Sequence, residues 1–514
     1  MTAGTAGTAG TALRRGCPLA LAILLAACAG APGGADADGR PPGRAVFEVV
    51  FTPAARAQPF SGRALVFLSR VEPEPRTWNN PARLEPVLAA DFEGVPPRAP
   101  MRIDSANRLC FPATPEELEG GAYFVQAVLD ADPGAPWPGS APGNPCSQAR
   151  RVELGGGRAP VVRLVCDRTI AASAPPETPY VRSVEVESAR LSAFHGRPTR
   201  LRALVHLPEA WLAEPERRFP LLIVVSGFGA SLAGFQSVDW PSPPLDGEPF
   251  VTVYPDPSCV HGHSAFLNSD NNGPWADALV EELLPVVEER FRCVDDREAR
   301  LLAGHSSGAW SVLWLMARHP ARFGAAWASS PDPVDFRDFM GVDLYAPDAN
   351  LLYDPAGRPR PFCTLGGWTV NYTFEHARRE EVLRGGVLGF FEALLGGRGA
   401  DGEPQRLFDR ATGAVDPAVV ERWRRHDLSL YLREHWDELG PLLDGRIVLT
   451  VGDKDNFLLH GSVELLRREL EALGAHIDVH VLSGDHFSEL QGPSSADVSR
   501  RMVERFRTWR LRSG

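Results

Sequence analysis

Residues 300–318 hold the feature that most constrains this chain. The run Arg300-Leu-Leu-Ala303 is short, apolar and strand-like, and Ala309-Trp-Ser-Val-Leu-Trp-Leu-Met-Ala-Arg318 reads as an apolar helix. Only Gly304-His305-Ser306-Ser307-Gly308 separates them. A buried strand that turns directly into a buried helix belongs in a parallel sheet covered on both faces. Glycines at both ends of the turn let strand and helix approach each other. The central serine is then forced onto a strained bend, with its hydroxyl projecting at the strand end. As a bare pattern G-x-S-x-G is weak in a chain with 49 glycines; its flanks give it meaning.

The same alternation runs through residues 185–514. Strands are expected at 201–207, 220–225, 250–254, 300–303, 324–327, 446–451 and 476–482. Helices are expected at 276–291, 308–319, 463–473 and 496–512. Residues 331–444 break the rhythm with Pro- and Gly-rich loops and helical segments at 375–384 and 419–436. They read as a cap inserted over the strand ends. The fold class is therefore α/β: a doubly wound, mostly parallel sheet with a helical and loop cap. Ahead of it, residues 45–170 carry Val- and Phe-rich runs at 45–51, 63–69, 122–128 and 161–165 without a 3.6-residue period. They predict an all-β, sandwich-like accessory domain, which holds no catalytic constellation.

The N-terminus reads as an address. Arg14 and Arg15 precede a short apolar run at 19–27 that ends Leu25-Ala26-Ala27-Cys28. That string resembles the lipobox of bacterial lipoproteins, in which cleavage leaves the cysteine lipidated. Residues 1–28 are thus an expected signal peptide and 29–44, rich in Gly, Ala and Pro, a flexible tether. The expected location is outside the cytoplasm, membrane-anchored through Cys28 in the periplasm or at the outer membrane. In an oxidising compartment Cys110, Cys146, Cys166, Cys259, Cys293 and Cys363 can pair, with Cys146–Cys166 and Cys259–Cys293 the favoured bridges. A formal charge of −12 without a basic patch argues against a nucleic-acid partner.

A serine hydroxyl needs a positioned base to become a nucleophile. That base should follow the last core strand and come after an acid in chain order. Ser483-Gly-Asp-His486 follows the strand at 476–482, and Gly452-Asp453-Lys454-Asp455 follows the strand at 446–451. This assigns Ser306 as nucleophile, His486 as general base and Asp455 as the carboxylate that orients it. Asp453 is the alternative acid, His460 the alternative base, and Asp485 reads as solvated. The oxyanion hole needs two converging backbone N–H groups. Ser307 supplies one; the other comes from Ser226-Gly227-Phe228-Gly229, with Phe228 preferred to Gly229. His263, Phe266 and Asn268, in the loop after the strand at 250–254, are candidate acyl-pocket residues. His261 and His263 have no third ligand, so neither a metal nor another cofactor is expected.

Phe219-Pro-Leu-Leu-Ile-Val-Val-Ser-Gly-Phe-Gly229, Asn272-Gly-Pro-Trp-Ala-Asp277, Glu281-Glu-Leu-Leu-Pro285, Gly304-His-Ser-Ser-Gly308 and Gly484-Asp-His486 carry a family resemblance. From residue 187 to the C-terminus the chain resembles the Putative esterase branch of the α/β-hydrolases, the esterase D and enterochelin esterase-like enzymes. The resemblance implies the Ser306, Asp455, His486 triad and acyl transfer from an ester or thioester to water, without a metal; the expected substrate is a small-molecule or glycan ester, cleaved through an acyl-enzyme on Ser306. Two departures leave the substrate open: the long insertion, and Ser226 where many relatives carry His. Transfer of the acyl group to a sugar or lipid, and a non-catalytic binding role on the same scaffold, are the alternatives. Cys28→Ser is expected to abolish incorporation of labelled palmitate and to release the chain from the membrane fraction.

Overall fold

The computed structural model describes residues 45–488 and 493–513, apart from 78–83, 105, 107–108, 132–136, 156–159, 173–176, 230–231, 233–239, 366–367, 370–373 and 375–376. The expected signal and tether, with Cys28, lie outside the described residues.

Strands β1 (Val46–Phe51), β2 (Phe60–Ser69), β3 (Val87–Val95), β4 (Met101–Ile103), β5 (Leu109–Phe111), β6 (Gly121–Asp130), β7 (Pro145–Ser147), β8 (Arg150–Leu154) and β9 (Val161–Thr169) build the N-terminal region. They hydrogen-bond as one sheet, ordered β4-β1-β9-β7-β6-β2-β3-β5, with β8 on β6. A sandwich has two separate sheets; here the parallel β1–β9 pair joins the strands into one. Period-two alternation sends Phe47, Val49, Val66, Leu68, Val125 and Leu164 to one face, where they form a core. Leu65, Phe67, Val128 and Cys146 point to the other face, and Val382 and Leu383 from the inserted segment cover them. The same alternation separates Cys146 from Cys166, which lies in the first core, so their expected bridge does not form. Cys259 follows a strand's C-terminal end, while Cys293 pairs with Phe219 ahead of a strand's start. At opposite ends of the sheet, these two are also free thiols.

The second sheet comprises β10 (Val181–Glu187), β11 (Arg200–His206), β12 (Leu221–Val225), β13 (Val251–Pro255), β14 (Arg300–His305), β15 (Ala325–Ser329), β16 (Ile447–Gly452) and β17 (Asp478–Leu482). Its order is β10-β11-β13-β12-β14-β15-β16-β17. Antiparallel pairing is confined to β10–β11 and β11–β13; every other neighbour is parallel. This is the α/β-hydrolase arrangement. Strand β10 escapes a reading of the sequence because it is an edge strand: only Val181 and Val184 are buried along it.

Helices α1 (Ser307–Arg318), α2 (Ala377–Leu383), α3 (Val387–Leu395), α4 (Leu428–Leu443), α5 (His460–Ala472) and α6 (Pro493–Ser513) complete the layers used below. Helix α1 is buried from Ser307 to Ala317, as an all-round apolar helix must be. Helix α4 falls inside the stretch expected to be a cap. Its Leu428, Leu432 and Leu443 instead meet Leu313 of α1 and Leu466 and Leu470 of α5, so it belongs to the layer covering the sheet.

Two glycines make the β14–α1 turn possible. A Cβ on Gly304 would lie 2.2 Å from the Gly308 carbonyl oxygen, and one on Gly308 would lie 2.1 Å from that of Val225. Neither neighbour is a side chain that can swing away. Gly389, inside α3, meets nothing within 4 Å. Gly308→Ala is therefore expected to destabilise the fold by more than about 2 kcal/mol. Gly389→Ala should stabilise it by roughly 0.5–1 kcal/mol. Urea unfolding of both variants checks the pair.

Candidate active site

Strand register brings the sequence candidates to one edge. Val225 pairs with Gly304, Gly304 with Ala328, His305 with Ser329, Ser329 with Thr450, and Gly452 with Leu482. Residues 226–229, 306, 330–332, 453–457 and 483–486 therefore all leave the sheet from the same end. In parallel sheets this carboxyl end is where sites form.

Ser306 adopts φ 58° and ψ −130° at the start of α1, a conformation that non-glycine residues rarely occupy. Its N–H donates to the Ser329 carbonyl at 3.0 Å, which ties the bend to the next strand. The 226–229 segment packs directly against it: a Cβ on Gly227 would lie 3.1 Å from the Ser306 Cβ. Among the described residues, the backbone N–H groups of Phe228 and Ser307 have no carbonyl partner. At the first turn of α1 the Ser307 N–H is also favoured by the helix dipole.

His486 is buried, and its Nδ1–H donates to Asp455 Oδ2 at 2.6 Å. A proton held at Nδ1 by that acceptor leaves Nε2 as the basic nitrogen. Asp455 is itself over-determined: its Oδ1 accepts from the N–H groups of Phe457 at 2.9 Å and Leu459 at 3.4 Å. Burial pushes its carboxyl up. The neighbouring His486 and these hydrogen bonds outweigh that and hold it below the usual range. The His486 N–H donates to Asn456 Oδ1 at 3.1 Å, and Asn456 in turn exchanges hydrogen bonds with Thr364 of the inserted segment. The alternatives are employed elsewhere. Asp453 is exposed and accepts from Gly484 N–H at 2.9 Å; Asp485 accepts from the Ser488 hydroxyl and N–H; His460 begins α5, facing Asp338.

Of the three acyl-pocket candidates, only His263 reaches this loop. Its Nε2–H donates to the Ser226 carbonyl at 2.9 Å and its Nδ1 accepts from Ala265 N–H. Both ring nitrogens are thereby used, leaving no lone pair for a metal. Burial pushes its pKa down to about 4, so it is a neutral prop under the loop. Phe266 is buried in the sheet's core, edge-on to Trp275. Asn268 caps the helix start at 275, its Oδ1 accepting from Ala276 and Asp277 N–H. These two positions are therefore structural. Their loop turns back into the core at 265–267 before it can follow the strand edge.

Two site residues went unread in the sequence. The His305 ring lies 4.6 Å from that of His486, and its Nδ1 pairs with the Ser329 hydroxyl at 3.2 Å. Burial keeps it neutral, its pKa far below the ordinary value. Asp332 follows β15, the strand beside β14, and is 8% exposed. Burial raises its pKa to about 6; the Ser307 hydroxyl and His486 pull it back down. Its only sequence signal is a carboxylate just past the end of a parallel strand, a position shared by many bystanders.

A family model described as "Putative esterase" matches residues 196–472. Esterase MT1326 and Esterase Rv1288, from two strains of Mycobacterium tuberculosis, are each 27% identical over 161 residues, 30% of this chain and 32% of theirs. The match thus spans about a third of those relatives' length. Among solved structures, a ferulic acid esterase is 15% identical, covering 62% of this chain and 98% of that one, at a TM-score of 0.36. An S-formylglutathione hydrolase from Agrobacterium tumefaciens is 17% identical, covering 63% and 95%, at a TM-score of 0.38.

Asp332 gives a pH-dependent expectation. Its folded pKa of about 6 lies above the ordinary carboxyl value of 3.8, so the folded state binds the proton more tightly. Stability from this group is full below about pH 4, falls as pH rises to about 6, and stays lower above that. Asp332→Asn should flatten this fall and stabilise the fold at pH 8 by on the order of 2 kcal/mol, read from urea unfolding across the pH range.

Proposed function

This chain belongs to the Putative esterase family, and from that premise we propose that it is a serine hydrolase cleaving a carboxylic ester through an acyl-enzyme on Ser306. The observation that carries the reading is the buried His486–Asp455 pair at 2.6 Å, on the sheet edge from which the strained Ser306 projects.

The Ser306 Oγ attacks the ester carbonyl carbon while His486 Nε2 takes its proton. The imidazolium so formed faces Asp455, which stabilises it and fixes the tautomer without accepting the proton outright. Negative charge gathers on the former carbonyl oxygen, where the N–H groups of Phe228 and Ser307 converge on it. As this intermediate collapses, the C–O bond to the alcohol breaks and His486 returns the proton to the departing oxygen. Water, deprotonated by His486, then attacks the acyl-enzyme, and the carboxylic acid leaves as Ser306 Oγ regains a proton. Chemistry of this kind needs no metal. The substrate class is a small-molecule or glycan ester, and its acyl and alcohol parts depend on the walls above Ser306. Action outside the cytoplasm, on a membrane-anchored chain, rests on the sequence around Cys28.

Ser306→Ala is expected to abolish both p-nitrophenyl ester turnover and labelling by a fluorophosphonate probe, with unfolding unchanged. Asp455→Asn should lower kcat on the order of 10⁴-fold, because the imidazole loses its fixed tautomer. Asp453→Asn should stay within about ten-fold of wild type. A labelled and active Ser306→Ala protein would end this reading.

A further inference from the structure

The N-terminal sheet carries no catalytic residue, yet one of its side chains reaches the oxyanion loop. Trp137, between β6 and β7, lies edge-on to Phe228 with ring centroids 6.0 Å apart at 73°. Phe228 in turn rests on Phe390 of α3, 5.2 Å away at 41°. Phe390 meets the ring of His263 at 5.7 Å and 83°, and His263 holds the Ser226 carbonyl. Residues 226–228 are thus gripped from both sides by one aromatic row. Its outer member belongs to another domain.

That outer member is itself held firmly. The Trp137 carbonyl accepts from Ser140 N–H at 3.0 Å. Buried Asn144 donates to the Pro138 carbonyl and to Asp130, each at 3.2 Å. Arg76 donates to the Gly139 carbonyl at 2.7 Å, and a Cβ on Gly139 would lie 2.1 Å from the Arg76 carbonyl oxygen. Residues 137–144 are therefore held against their own sheet rather than draped over the catalytic domain.

The same sheet also grips the other end of the row. Arg63, 7% exposed, donates to the Glu381 and Val382 carbonyls at the end of α2, and the Arg384 guanidinium pairs with Asp91. Just before these residues, the Glu380 carboxylate accepts from Val387 and Leu388 N–H at 3.0 and 2.9 Å, capping α3, which carries Phe390. The N-terminal sheet thus contacts both the segment that carries Trp137 and the helix ahead of the one that carries Phe390.

We propose that Trp137 is a positioning residue for the oxyanion loop, so that catalysis at Ser306 depends on the N-terminal domain. The proposal rests on the hydrolase reading above. Backbone donors work only where they already point at the developing oxyanion, so a loop freed on one side loses rate rather than substrate affinity.

The test compares Trp137→Ala and Trp137→Phe in the full chain, each checked for an unchanged unfolding midpoint. Substrates are p-nitrophenyl acetate, butyrate and octanoate. The alanine variant is expected to lose about 10- to 100-fold in kcat on all three, with KM within about three-fold, and phenylalanine to restore most of the rate. Hydrogen exchange at 226–229 should speed up in the alanine variant and return to the wild-type rate in the phenylalanine one. Wild-type kcat in the alanine variant overturns the proposal. So does a loss confined to KM that grows with acyl length, which would make Trp137 a pocket wall. Should the wild-type chain turn over no ester, the hydrolase reading fails. The exchange measurement then still judges the contact, and unchanged exchange overturns that too.

Discussion

The structure depends on one steric constraint, the closeness of three backbone segments around Ser306. Gly304, Gly308 and the Val225 carbonyl meet where a Cβ on either glycine would collide with backbone, and Gly227 lies against the serine from the side. No larger residue fits at Gly304 or Gly308 without moving backbone, and the resulting turn holds Ser306 at φ 58°. Strain of this kind persists only when the surroundings over-determine it. Here they do so through the fully buried α1 and the bond from Ser306 N–H to Ser329.

Around that bend the polar groups follow a single electrostatic logic. His486 and Asp455 are buried together, which would be costly for either alone; the second Asp455 oxygen accepts backbone N–H groups, and the His486 backbone N–H donates to Asn456. The rings closest to His486 add no competing charge: His305 is neutral, and Phe457 and Phe487 lie 4.9 Å away. Asp332 is the exception, a carboxyl brought near the pair and half-persuaded by burial to stay protonated. The imidazole thus faces one committed carboxylate and one reluctant neighbour.

The inserted segment and the N-terminal sheet share the work of holding loops. Thr364 steadies Asn456 below His486, while α2 and α3 link the outer face of the first sheet to Phe390 and hence to Phe228. Val382 and Leu383 are buried against Leu65 and Phe67, so this link is packed as well as hydrogen-bonded.

By itself the sequence determined the elements whose signals are local. The alternation of strands and helices, the turn at 304–308 and the positions of Asp455 and His486 after their strands were all legible, because burial imposes periodicity and tight bends demand glycine. It left Asp453 and Asp455 as rivals. The tertiary structure separates them: Asp455 bonds His486 from within, whereas Asp453 turns outward to the Gly484 amide. Nothing local marked Phe266 as core, Asn268 as a cap, or Cys146 and Cys166 as lying on opposite faces. Asp332, Trp137 and Arg63 acquire meaning only through neighbours distant in sequence. Which side chains meet across such separations is set by sheet register and domain packing, and a one-residue change in either would pair them differently.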